Sequence, residues 1–192
     1  MSNDMLNNML SNKLIEKKIS GERIFSGKII GVECDVIELP NGETSFREVI
    51  RKNGGVCVVA LTETDEVLLV DQYRYPYAEV ITEIPAGKLE GNEDPIECAK
   101  RELSEETGYE AGIIEPLGIF YPTPGIMDEV LYMYLAKELK EGKMHTDPDE
   151  FLANSKIGLE DLVQKIIDGE IPDGKTQAAV LKVWAMKKKG EV

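Results

Sequence analysis

The sequence predicts an α/β (α+β) fold, a mixed-sheet domain packed with helices and preceded by a small antiparallel sheet. Three observations predict it. Strand-like segments recur from Glu22 to Ala136, and a well-bounded helical pattern from Asp94 to Gly108 is set among them. Val56 to Leu61 is a continuous apolar run, consistent with a buried strand. Two more helical patterns follow, Leu159 to Asp168 and Thr176 to Lys189.

The elements read in order as follows. Met5, Leu6, Met9, Leu10, Leu14 and Ile15 are spaced for a short amphipathic helix, either a packing arm or a partner contact. Arg23 to Phe25, Lys28 to Val32, Val36 to Leu39 and Thr44 to Ile50 are strand-like, with a turn at Pro40-Asn41-Gly42. Asn53-Gly54-Gly55 breaks the pattern, so residues 1–53 are expected to be an arm and small sheet, and residues 54–192 the main domain. Glu66 to Val70 and Val80 to Ile84 are further strands, the second stopped by Pro85-Ala86-Gly87. Asp94 is a good N-cap, Pro95 suits the first helical position, and Gly108 suits the C-terminal cap. Ile113 to Tyr121 and Val130 to Ala136 are the last expected strands. In the final helix Ala179, Val180, Val183, Trp184 and Met186 are available for packing.

Composition narrows the function. Of 192 residues, 42% are hydrophobic and 30% charged, which is ordinary for a soluble domain. The formal charge of −14 repels a phosphate backbone and argues against a nucleic-acid partner. The N-terminus has no long apolar run, so neither a signal peptide nor a membrane span is expected. Cys34, Cys57 and Cys98 form no C-x-x-C pair and read as reduced packing residues, which suggests the cytoplasm. One histidine, His145, is too few for a histidine zinc site.

The chemistry lies in the segment from Gly87 to Tyr109. On a helix, Glu102, Glu105 and Glu106 stand at i, i+3 and i+4, which puts three carboxylates on one face. They repel one another there, and near the helix C-terminus the macrodipole opposes them too. A solvated acidic face is one account of them. A divalent cation is another, since carboxylate oxygens are natural ligands of magnesium.

The whole segment favours the cation. It resembles the Nudix box, G-x5-E-x7-R-E-U-x-E-E-x-G-U with U a bulky apolar residue, through Gly87, Glu93, Arg101, Glu102, Leu103, Glu105, Glu106, Gly108 and Tyr109. Seven fixed identities coincide by chance with a probability on the order of 10⁻⁸ per starting point. The resemblance implies a Nudix fold, with mixed sheets sandwiched by helices. It implies that Glu102, Glu105, Glu106 and the Ala86 carbonyl hold Mg²⁺, with Mn²⁺ as a substitute, and that Arg101 pairs with Glu93. The reaction would be metal-assisted displacement at phosphorus, with Arg101 and Glu105 in the catalytic constellation.

The flanks resemble the ADP-ribose pyrophosphatase subfamily. Asp71-Gln72-Tyr73-Arg74-Tyr75-Pro76 and Glu83-Ile84-Pro85-Ala86-Gly87 precede the box, and Tyr121-Pro122-Thr123-Pro124-Gly125 follows it, with Pro124 at the subfamily's proline position. Ile171-Pro-Asp173-Gly-Lys175-Thr176 resembles the start of its last helix. By this resemblance Arg74 faces phosphates or ribose, as an arginine fork suits, with Arg51 and Arg47 as weaker candidates. Glu83 and Glu90 would meet ribose hydroxyls or a further metal. Thr123, Pro124 and Gly125 would turn toward the partner's site, followed by Glu129. The resemblance also implies a homodimer that swaps its front sheets.

The general base is expected in the acidic loop Thr146 to Phe151, with Glu150 first and Asp149 and Asp147 next. The expected substrate is ADP-ribose, cut to AMP and ribose 5-phosphate. Another nucleoside diphosphate sugar, such as GDP-mannose, is the alternative. A non-cutting ADP-ribose sensor or an RNA-decapping enzyme fits less well, given the intact carboxylates and the absence of a basic stripe.

Overall fold

Alternate residues of one strand, Gly55–Ala60 (β4), face two different cores. The computed structural model describes residues 13–146 and 151–192. Val56, Val58 and Ala60 pack with Cys98, Ala99 and Leu103, while Cys57 and Val59 pack with Leu162, Val163, Val180 and Val183. A strand buried on both faces must be apolar at every position, which is why Val56 to Leu61 reads as an unbroken run. Burying each such side chain contributes roughly 1.5–3 kcal/mol.

The chain divides into two compact units. The first runs to Lys52 and takes in Thr123–Glu129; the second comprises Asn53–Pro122 and Val130–Val192. Three strands build the first unit: Lys17–Ser26 (β1), Gly31–Glu38 (β2) and Thr44–Arg51 (β3), in the order β1-β2-β3. Both pairings are antiparallel, from Ser20↔Val36 to Gly31↔Arg51. The predicted turn closes β2 and β3, where the Gly42 amide donates to the Leu39 carbonyl at 2.9 Å with φ 85°. Only a residue such as glycine adopts that φ without strain.

Two expectations for this unit differ from the structure. Lys28 to Ile30 is a turn rather than strand, with the Gly27 amide donating to Ile30 at 2.9 Å. The amphipathic helix falls mostly outside the described residues, and Leu14 and Ile15 are exposed outside any helix. β1 is exposed along its whole length, presenting Ile19, Ile24 and Phe25.

The second unit holds two sheets. Strands Glu66–Arg74 (β5), Glu79–Glu83 (β6), Ala86–Lys88 (β7), Tyr109–Phe120 (β8), Leu131–Glu141 (β9) and Leu152–Gly158 (β10) join β4. Their orders are β7-β4-β9-β8 and β10-β5-β6. All pairings are antiparallel except β4 with β9. Helix Pro95–Thr107 (α1) contributes to one core, and Leu159–Ile167 (α2) and Gly174–Lys188 (α3) to the other. The sequence reading has no counterpart for β7 or β10. β7 is three residues long, and β10 carries the polar run Ala153-Asn154-Ser155 as an exposed edge strand.

Candidate active site

Both ends of α1 are built as the sequence predicts. The Asp94 side chain accepts from the Ile96 amide at 3.0 Å, Pro95 opens the helix, and Gly108 closes it at φ 76°. The cap fixes where the acidic face begins, so Glu102, Glu105 and Glu106 fall on one side.

Arg101 organises that face. Its Nε and Nη2 each donate to Glu93 at 2.9 Å, and its Nη1 donates to Glu102 at 2.8 Å and to Glu105 at 2.9 Å. Hydrogen bonds from Arg101 hold the Glu93 carboxyl down at about 2. Glu106 lies deeper and accepts from the Ala86 amide at 2.9 Å. The Cys98 thiol, pushed up to about 12 by burial, packs beneath Arg101 and is no nucleophile at neutral pH.

These residues fit a divalent cation in donor chemistry: three carboxylates and a neighbouring backbone carbonyl offer oxygen alone, as a hard cation requires. Gly87 strengthens the fit. A Cβ there would lie 1.7 Å from the Glu102 carboxyl carbon, so backbone and carboxylate approach as closely as glycine alone permits. Among the described residues, no three His, Cys, Asp or Glu side chains are grouped as metal ligands. Glu102 and Glu105 converge instead on the Arg101 guanidinium.

A second cluster lies in the same unit. Arg74 grips Glu83 with Nε at 2.6 Å and Nη2 at 2.7 Å. Burial pushes the Glu83 carboxyl up, but Arg74 and Lys175 outweigh it and hold it below the usual range. Hydrogen bonds to Glu83 raise the Arg74 guanidinium above its ordinary value, and the negative charge of Glu106 adds to that in the same direction. Sequence reasoning assigned no role to Lys175. Its signal was the Asp173-Gly-Lys-Thr176 start of α3, whose first cap residue is Asp173.

The remaining candidates are placed as follows. Glu90 is exposed, and its amide donates to Glu93 at 3.1 Å. In the first unit, Arg51 donates to Glu33 and Asp128, each at 3.0 Å. Glu129 is buried against Lys52. Thr123, Pro124 and Gly125 are exposed in a tight turn, where the Ile126 amide donates to the Thr123 carbonyl at 3.1 Å. Pro124 and Gly125 line a cleft of about 390 Å³ with Glu16, Arg47 and Val49. Glu150, Asp149 and Asp147 lie outside the described residues.

A capped helix bearing clustered carboxylates beside a glycine backbone offers the oxygen donors that a hard divalent cation takes. The chain belongs to the NUDIX family: the model of the NUDIX domain matches residues 51–178. It is a Nudix hydrolase, and such enzymes generally need a divalent metal. It is 46% identical over 167 residues to the methanol dehydrogenase activator of Bacillus methanolicus, covering 86% of this chain and 90% of that one. It is 43% identical over 169 residues to the ADP-ribose pyrophosphatase of Bacillus subtilis (strain 168), covering 87% and 91%. A solved structure described as an ADP compounds hydrolase has the same fold, with TM-score 0.81 at 21% identity over 93% of this chain and 98% of that one.

Proposed function

We propose that this chain cleaves the diphosphate bond of ADP-ribose with Mg²⁺, or Mn²⁺ in its place, giving AMP and ribose 5-phosphate. The observation that carries the reading is the complete box from Gly87 to Tyr109, with Glu102 on α1 against the Gly87 backbone. The similarity to an ADP-ribose pyrophosphatase supports the substrate.

Glu102, Glu105, Glu106 and the Ala86 carbonyl are the residues that would hold the metal. A metal held there would neutralise diphosphate charge and lower the pKa of a bound water, so that a base could take its proton and leave a hydroxide nucleophile. Arg101, fixed by Glu93, keeps the loop before the helix in register with the carboxylates. Arg74, oriented by Glu83, offers its guanidinium to a phosphate oxygen. Glu150 is our choice for the base that takes the proton from water.

A GDP-mannose pyrophosphatase of Yersinia enterocolitica, 33% identical over 141 residues, supports a second reading with the same cleavage and a different nucleoside diphosphate sugar. The acidic surface fits a small-molecule substrate rather than a nucleic acid. We also propose a homodimer formed through the first unit, supported by the exposed Ile24, Phe25 and Phe46. Among the described residues no helix is long and apolar enough to cross a membrane. Free cysteines support a cytoplasmic location.

Turnover of ADP-ribose and GDP-mannose with magnesium tests the substrate. ADP-ribose should be the better substrate, and no AMP from it would remove the reading. The Glu106→Gln variant should bind ADP-ribose but lose at least about 100-fold in kcat.

A further inference from the structure

A closed ring of hydrogen bonds joins the end of β6 to the start of α3. The Ile84 amide donates to the Thr176 hydroxyl at 2.9 Å, and that hydroxyl donates to Asp173 Oδ2 at 2.6 Å. Lys175 Nζ donates to the same Asp173 oxygen at 3.0 Å and also to Glu83. Glu83 and Ile84 are adjacent in the chain, so the ring closes.

Every member of this ring is sheltered. Thr176 is fully buried, and the side chains of Glu83 and Lys175 are 3% and 11% exposed. Arg74, by contrast, is 38% exposed, with its Nε and Nη2 committed to Glu83. Two carboxylates, Glu83 and Asp173, thus face two cations, one inside and one at the rim. The inner cation holds Glu83 from behind while the outer one is held in front. Without Lys175, Arg74 would be the one cation left paired with the buried Glu83 carboxylate among the described residues, and it would be drawn inward, away from an incoming anion.

We propose that Lys175 is a positioning residue for Arg74, acting through Glu83. It supplies the charge that lets Glu83 serve as a fixed seat for the guanidinium. It touches no substrate itself. The inference rests on the reading above, in which Arg74 meets the diphosphate.

A double-mutant cycle tests it. ADP-ribose binding is measured by calorimetry in EDTA, where no metal-dependent cleavage occurs, and KM and kcat are measured with magnesium. Lys175→Met should weaken binding and raise KM about tenfold, with kcat changed less than about threefold. Lys175→Arg should restore most of the loss. In an Arg74→Ala background the same Lys175→Met change should have almost no further effect. Lys175→Gln, which keeps a donor and loses the charge, serves where the methionine variant does not fold.

Additive losses in the two backgrounds, or unchanged binding in the Lys175 variants, would overturn the positioning role while the substrate reading stands. Intact binding with a coupled cycle but no turnover by the wild-type enzyme would sink the substrate reading and leave the positioning role supported. No binding of ADP-ribose to the wild-type protein would overturn both.

Discussion

Arg101 spans the two oxygens of Glu93 with its Nε and Nη2, each bond 2.9 Å long, and its third nitrogen reaches Glu102 and Glu105. One guanidinium therefore ties the loop before α1 to the acidic face of α1. A lysine has a single donor centre and does not reproduce that fork.

This pairing should be visible in acid. Arg101 lowers the Glu93 carboxyl from its ordinary value of 4.5 to about 2. A carboxyl depressed on folding stabilises the fold above its unfolded value, and the gain fades as pH falls from 4.5 toward about 2. Thermal melts across that window should therefore drop more steeply for the wild type than for Glu93→Gln. Parallel slopes would refute the assignment.

Gly87→Ala should disable the enzyme without unfolding it. The new Cβ would fall 1.7 Å from the Glu102 carboxyl carbon, so that carboxylate must leave its place. Misplacement on this scale costs about 10- to 100-fold in kcat. Circular dichroism should be unchanged. A variant with wild-type kcat would show that Glu102 is not needed where it stands.

Thr176→Val is a nearly isosteric change that removes a fully buried hydroxyl. The Ile84 amide then loses its acceptor and Asp173 loses a donor. Leaving such groups unsatisfied costs about 1–3 kcal/mol. The urea midpoint should fall by a corresponding amount, with the slope of the transition unchanged. A midpoint equal to the wild type would mean the hydroxyl is dispensable.

Sedimentation equilibrium should return the mass of two chains. Ile24, Phe25 and Phe46 are 60%, 53% and 63% exposed on the first sheet, an apolar surface suited to a second copy. Phe25→Asp with Phe46→Asp should shift the mass to one chain. A single-chain mass for the wild-type protein would end the dimer proposal.

The local frame of the candidate site is legible in the sequence. The caps at Asp94 and Gly108 and the carboxylate spacing are local, so residue order alone places them, and the Arg101–Glu93 pairing followed from the resemblance to the Nudix box. The doubly buried β4 also announced itself as an apolar run. Three features escaped. β7 hides behind Pro85-Ala86-Gly87, which reads as a stop but pairs with β4 through Cys57↔Ala86. β10 is polar because it is an edge strand, so burial leaves no pattern on Ala153 to Lys156. Lys28 to Ile30 is apolar at two positions yet turns, because the strand begins at Gly31.

By itself, the sequence determined the reaction class, through its match to the Nudix box rather than through the acids alone. The helix that carries Glu102, Glu105 and Glu106, begun by Asp94-Pro95 and ended by Gly108, assembles from contacts within a few turns. The tertiary structure decided how Arg74 is held. Lys175 and Glu83 meet across 92 positions of chain, through the packing of α3 against the sheet. No periodicity encodes such a pair. It exists because a buried carboxylate needs compensating charge from whatever segment the core brings beside it.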